Sequence, residues 1–288
     1  MKPVRKAVLP VAGLGTRVLP GSKIVPKELL NVVDRPILSY VVAEGRAAGI
    51  EHFVFVTGRG KGAIEDYFDH HIELEAQLQA KGKTSLLAEI VGELPRPGEM
   101  SFVRQMQPHG LGHAVWCARD IVGDEPFAVM LPDVLMTGPV SPLRQAIDAY
   151  QAVGGNIIVV EACPEGEAHK YGVVALESAT GRRNKMTGMV EKPPKGTEPS
   201  NLSISGRYVL QPEIFAILAD QERGAGNEIQ LTDAMARLMK TQDFHALEYE
   251  GVTYDCGDKL GLLRANVAMA LQRDDLGPVR DALLDLLK

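Results

Sequence analysis

Residues 9 to 28, Leu9-Pro-Val-Ala-Gly-Leu-Gly-Thr-Arg-Val-Leu-Pro-Gly-Ser-Lys-Ile-Val-Pro-Lys-Glu28, place three glycines, an arginine and two lysines directly behind a short apolar strand. The run Ala7 to Val11 is apolar enough for a buried strand, and the chain leaves it through Gly13 and Gly15, where backbone approaches a ligand closely. Free amides in such a turn suit phosphate oxygens. Arg17 adds a planar fork and Lys27 a mobile ammonium, which match the charge of a nucleoside triphosphate or of released pyrophosphate.

Two familiar glycine motifs fail here. The dinucleotide fingerprint needs a third glycine where Arg17 and Val18 stand, and the Walker pattern needs Gly-Lys before Ser or Thr, whereas Lys23 lies beyond Pro20. For a lone Gly-x-Gly, a tight strand-to-helix turn with solvated cations is the better explanation. The cluster of Arg17, Lys23 and Lys27 favours an anion site.

Outward from this loop, strand-like runs at Ala7 to Val11, Phe53 to Thr57, Phe127 to Leu131 and Asn156 to Ala162 alternate with amphipathic segments. Such alternation predicts an α/β sheet covered by helices on both faces. A helix begins at Pro36-Ile37-Leu38 and ends at Gly49. Residues 69 to 101 read as an insertion: a polar helical tract from His70 to Lys81, a short helix near Leu86 to Val91, and a Pro/Gly-rich close. After Gly154 strands dominate, at Tyr171 to Leu176, Met186 to Glu191, Ser203 to Leu210 and Ala246 to Tyr249. Helical segments follow at Lys259 to Gln272 and Pro278 to Leu287. The stripe Val279, Leu283 and Leu286 either packs on its own domain or meets another subunit.

The 288 residues fit one large α/β domain with insertions. A formal net charge of -6 argues against broad nucleic-acid binding, which needs a basic face. No run approaches the roughly 20 apolar residues that span a bilayer. The basic opening faintly imitates a signal peptide, but Pro10 and Arg17 interrupt it, so a cytoplasmic protein is expected. Cys117, Cys163 and Cys256 are too widely spaced for a zinc site or a disulfide framework and read as reduced thiols. His70 and His71, adjacent on a helix, read as surface residues.

Taken together, Ala12-Gly-Leu-Gly-Thr-Arg17, Pro26-Lys-Glu28, Gln107 to Gly112 and Leu131-Pro-Asp-Val134 resemble the nucleotide-sugar pyrophosphorylases. Tyr171-Gly-Val-Val174, Val190-Glu-Lys-Pro193, Glu228-Ile-Gln-Leu-Thr-Asp233 and Tyr254-Asp-Cys-Gly-Asp258 look like the bacterial, uridylyl-transferring members, and the resemblance runs from residue 7 to about 266. It implies a Rossmann-like central mixed sheet flanked by helices, with a small additional β region and C-terminal helices. It divides the chain into a nucleotide-binding half (about 1–154), a sugar-phosphate half (about 155–258) and C-terminal helices (259–288).

The implied reaction is Mg²⁺-dependent attack of glucose 1-phosphate on the α-phosphorus of UTP, releasing pyrophosphate and giving UDP-glucose, with no covalent enzyme intermediate. Such an in-line displacement needs charge neutralisation and alignment rather than a nucleophilic side chain. The resemblance implies that Arg17 and Lys27 meet the β and γ phosphates, beside the loop residues Gly15 and Thr16. It sets the backbone of Ala12 and Gly13, with Glu28, Gln107 and Gly112, around the uracil. There Glu28 would accept the N3 proton, Gln107 can both donate and accept, and Gly110 and Gly112 leave room for the ring. Trp116 is assigned to packing.

By the same resemblance Asp133 and Asp255 hold Mg²⁺, Glu191 takes the sugar hydroxyls and Lys192 the sugar phosphate, and Gly172 and Gly206 let the sugar approach. A homo-oligomer, dimer or tetramer, is also expected. Gly226-Asn227 and Gly21-Ser22 depart from the usual pattern. The alternatives are a thymidylyltransferase for the same sugar phosphate and a non-catalytic nucleotide-sugar sensor. Pro132-Asp133 and Lys27-Glu28 lean toward uracil.

Overall fold

The apolar run behind the glycine loop forms strand β1, Lys6–Pro10, in the computed structural model, which describes residues 1–286. A two-residue hairpin, β2 (Asn31–Val32) and β3 (Arg35–Pro36), follows the loop. The main-sheet strands are β4 (His52–Thr57), β5 (Met100–Arg104), β6 (Phe127–Met130), β8 (Asn156–Ala162), β9 (Gly172–Leu176), β10 (Arg183–Glu191), β11 (Leu202–Leu210) and β12 (Phe244–Glu248). Together with β1 they form one nine-stranded mixed sheet in the order β5-β4-β1-β6-β11-β8-β12-β10-β9. Strands β7 (Val134–Thr137) and β13 (Val252–Asp255) form a separate antiparallel pair.

Strand β1 is parallel to both β4 and β6, and Ala7, Val8 and Leu9 are fully buried, as expected for a parallel strand covered on both faces. Alternate residues serve opposite cores. Leu9, Phe55 and Met130 pack on one face with Ile37, Val41 and Leu143 of the helices Ile37–Ala48 and Pro142–Val153. Val8, Val54 and Val129 pack on the other with Val115 and Met235 of the helices Leu111–Cys117 and Leu231–Leu238.

This topology locates the site. From β1 the chain builds outward through β4 and β5 and then returns to β6 on the other side, so a crevice opens at the carboxyl ends of β1 and β6. The glycine loop leaves β1 there, and Asp133 follows β6.

Two expectations need correction. The insertion expected over 69–101 contains the helices Ile72–Ala80 and Thr84–Gly92, but Met100 and Ser101 already belong to edge strand β5, whose parallel pairing with β4 no local pattern announces. The strand expected at Ala246 to Tyr249 runs from Phe244 to Glu248, and Asp255 lies on a strand of its own, β13, opposite Val134 of β7. The stripe of Val279, Leu283 and Leu286, on the helix Val279–Leu286, has no buried member. The predicted extension of that helix to Leu287 lies outside the described residues.

Candidate active site

The two-stranded β7/β13 ribbon brings together carboxylates far apart in sequence. Asp255 pairs in register with Val134, which places its side chain next to Asp133, and the Cys256 amide donates to the Asp133 carbonyl at 2.9 Å. The cations of the glycine loop converge on the same place. Lys27 Nζ lies 2.5 Å from Asp133 Oδ2, Arg17 Nη1 donates to Asp255 Oδ2 at 2.9 Å, and Arg17 Nη2 stands 3.8 Å from Asp133 Oδ2.

At the centre of this cluster is Gly257. A Cβ there would meet Arg17 Nη2 at 2.5 Å, Asp133 Oδ2 at 2.6 Å and Asp255 Oδ1 at 2.8 Å, so the missing side chain is what lets these three charges close together. Two carboxylates facing one such point are hard oxygen donors of the kind a small divalent cation takes alongside phosphate oxygens and water. Among the described residues no group of three or more His, Cys, Asp or Glu could hold a metal without such help.

Burial alone would raise the Asp133 carboxyl, but Lys27, its hydrogen bond and Arg17 hold it below the usual aspartate range. The unfolded chain keeps the ordinary value of about 4. The pairing therefore stabilises the fold above that pH, and the contribution is lost as pH falls through the lower folded value. Urea midpoints should fall more steeply between about pH 5 and 3 for the unmodified chain than for Asp133→Asn, and equal slopes would remove the pairing from the ledger.

On the proposed base side, the amides of Gly13, Leu14 and Gly15 donate to no backbone acceptor among the described residues, and Ser22 Oγ pins the loop by donating to the Gly15 carbonyl at 2.6 Å. Ala12 packs beneath Gly58, and Thr16 opens a short 3-10 turn, Thr16–Val18, that carries Arg17. Gln107 is exposed, its side chain without a hydrogen bond among the described residues, whereas Gln105 is buried and donates to the Gly110 carbonyl at 3.2 Å.

Glu28 differs from expectation. It is 0% exposed, Lys61 Nζ donates to its Oε2 at 2.8 Å, and its Oε1 is buried without a partner. Burial pushes its carboxyl up, with Lys61 and Lys27 offsetting part of the rise. An acceptor so enclosed meets a uracil N3 proton only if the loop moves. Gly110 and Gly112 also do other work than expected: the space beside them is taken by Glu228 and Ile229, and the Gly112 amide donates to the Ile229 carbonyl at 2.8 Å. Trp116 packs against the core under the Arg119 guanidinium, 3.7 Å from its ring centroid.

A cleft of about 830 Å³ runs from Arg17, Asp133 and Asp255 to Gly172, Glu191 and Lys192. Thr232 Oγ1 donates to Glu191 Oε2 at 2.7 Å and so aims that carboxylate. Lys192 has φ 46, a left-handed conformation that a non-glycine residue ahead of proline adopts only when its surroundings impose it. Its amide bonds the Tyr171 carbonyl at 3.0 Å, while its side chain stays exposed. The open side of Gly172 holds the Glu191 carboxylate, 3.0 Å from a Cβ there, rather than empty room. Gly206 does not line the cleft: it has φ 95 at a register shift in β11, against Leu131, and serves the bulge.

Sequence reasoning missed Gly257, Thr232, Lys61 and Gln105 as individual residues, although Gly257 and Thr232 lie inside motifs that it singled out. For Gly257, Thr232 and Lys61 what was missing was the partner, which comes from a distant segment, whereas Gln105 is paired locally, with Gly110.

The crevice, the amide-rich loop and the paired cations and carboxylates define a nucleotidyl-transferring protein, and the chain belongs to the nucleotidyl transferase family, whose model matches residues 6–272. It is 49% identical to the UTP-glucose-1-phosphate uridylyltransferase of Bacillus subtilis strain 168, over 99% of each chain. Among solved structures it resembles a UTP-bound UGPase from Acinetobacter baumannii, with 45% identity, a TM-score of 0.91 and coverage of 99% of this chain and 100% of that one. It is also similar to a UDP-glucose pyrophosphorylase complexed with UDP-glucose, with 38% identity, a TM-score of 0.83 and coverage of 94% and 100%. Among the described residues, no helix is long and apolar enough to cross a membrane.

Proposed function

We propose that this chain transfers UMP from UTP to glucose 1-phosphate, releasing pyrophosphate and giving UDP-glucose, with Mg²⁺ as the cation. The observation that carries the reading is the convergence of Arg17, Lys27, Asp133 and Asp255 around Gly257. The full-length likeness to the named relatives supports the choice of base and sugar.

In this reading Asp133 and Asp255 would hold Mg²⁺, and the chemistry it would supply there is neutralisation of phosphate charge. Arg17 and Lys27 exchange their carboxylate partners for phosphate oxygens, stabilise the departing pyrophosphate and cost little reorganisation because they already stand at the site. The amides of Gly13, Leu14 and Gly15 receive phosphate or base oxygens, with Ala12, Thr16 and Gln107 around the nucleotide. Glu191, aimed by Thr232, orients the sugar hydroxyls beside Gly172. Lys192 draws the phosphate of glucose 1-phosphate toward the α-phosphorus, so that one oxygen of that monoester displaces pyrophosphate directly. A cytoplasmic homo-oligomer, dimer or tetramer, is part of the same reading, and the C-terminal stripe, only partly covered by its own chain, is the surface that favours it.

The test is pyrophosphate release over a grid of UTP and dTTP with glucose 1-phosphate and galactose 1-phosphate, with and without Mg²⁺. We expect turnover that requires Mg²⁺ and glucose 1-phosphate and favours UTP over dTTP by about 10-fold or more, the usual scale for excluding one methyl group. Preference for dTTP would make the protein a thymidylyltransferase, and no turnover with any pair would make it a sensor.

A further inference from the structure

Among the described residues Arg207 is the largest side chain that is fully buried, and no motif of the site contains it. Its guanidinium forms a bidentate pair with Glu44 of the helix Ile37–Ala48, Nε donating to Oε1 at 3.0 Å and Nη2 to Oε2 at 2.7 Å. The remaining donors go to backbone: Nη1 reaches the Leu131 carbonyl at 3.1 Å, and Nη2 the Val134 carbonyl at 2.8 Å. These two carbonyls bracket Pro132-Asp133. The same short segment is tied by the Leu131 amide to the Gly206 carbonyl at 2.9 Å and by the Cys256 amide to the Asp133 carbonyl. Glu44 is anchored in turn, since its Oε1 also accepts the Leu143 amide at 3.1 Å.

A buried ion pair is weak support for stability, because desolvation of both charges offsets their attraction. This one has a geometric consequence instead. A guanidinium fork can hold two carbonyls and a carboxylate at once, and a lysine ammonium cannot span the same set. We infer that Arg207 is a positioning residue for Asp133: with Glu44 it clamps the turn after β6 from inside, fixing where the Asp133 carboxylate stands relative to Asp255 and hence how tightly the pair holds a divalent cation. The inference rests on the reading of Asp133 and Asp255 as ligands of that cation.

The experiment is binding of Mn²⁺, a paramagnetic substitute for Mg²⁺, to the UTP complex of the full chain, followed by electron paramagnetic resonance. Arg207→Lys keeps a buried cation for Glu44 and is the variant expected to fold. Arg207→Met combined with Glu44→Leu removes both charges together and avoids stranding one of them. We expect a folded protein by circular dichroism with the Mn²⁺ Kd raised by about 10-fold in each, the scale typical of losing a group that orients a metal ligand. An unchanged Kd in either folded variant overturns the positioning role. If the unmodified protein binds no Mn²⁺, or Asp133→Asn binds it normally, the cation reading itself fails. Binding lost in Asp133→Asn but kept in Arg207→Lys overturns only the role of Arg207.

Discussion

Asp133→Asn should lower the rate of pyrophosphate release by on the order of 10²- to 10³-fold at saturating UTP and glucose 1-phosphate, the scale on which a single preorganised electrostatic group acts. The side chain is nearly isosteric and its oxygen still accepts from Lys27, so the variant should fold, with an unfolding temperature lowered by the loss of the charge pairing. What disappears is the negative charge, which Lys27 and Arg17 hold in place at neutral pH. An amide oxygen is a poor substitute for a carboxylate toward a small, hard cation. Raising Mg²⁺ should therefore recover part of the lost rate, and a Mg²⁺ titration of each protein separates weakened cation binding from a damaged fold. Turnover within about twofold of the unmodified chain would remove Asp133 from the chemistry.

Gly257→Ala should be nearly as damaging, although it changes no charge. The added methyl would collide with Arg17, Asp133 and Asp255 together, at 2.5 to 2.8 Å. Something must yield. The flexible Arg17, half exposed, can swing away, but Asp133 is buried and bound by Lys27, and Asp255 accepts the Gly257 amide at its own Oδ1, 2.9 Å away. Displacing reacting groups by about 1 Å commonly costs about 100-fold in rate, and we expect a loss of that order in kcat with a smaller effect on the KM for glucose 1-phosphate. Steady-state kinetics over both substrates read this directly. A kcat within a factor of about three would show that the cluster adapts and that its close packing is not required.

Much of the architecture was legible because it rests on local signals. Ala7 to Leu9 and Phe53 to Val56 are apolar runs of strand length, and such runs read as buried parallel strands without knowledge of their neighbours. The glycine loop also declares its chemistry, since Gly13 and Gly15 beside Arg17 and Lys27 have few other uses. Strand β5 was not legible, because Met100 to Arg104 is half exposed at the sheet edge and lacks both a full apolar run and a clean alternation. The ribbon of β7 and β13 was missed for a different reason: each strand is four residues long, and the only thing that makes either a strand is the other.

The kinds of group present, cations and free amides behind a buried strand and carboxylates at strand ends, follow from residue identity, because charge and backbone freedom are properties of a residue wherever it stands. Their arrangement does not. That Asp255 stands beside Asp133, that Gly257 fills no space between them, that Lys61 encloses Glu28, and that Arg207 grips the turn carrying Asp133 all depend on pairings across tens to hundreds of positions. Such distances are set by sheet order and strand register, which arise from the packing of the whole chain and leave no mark in any one segment.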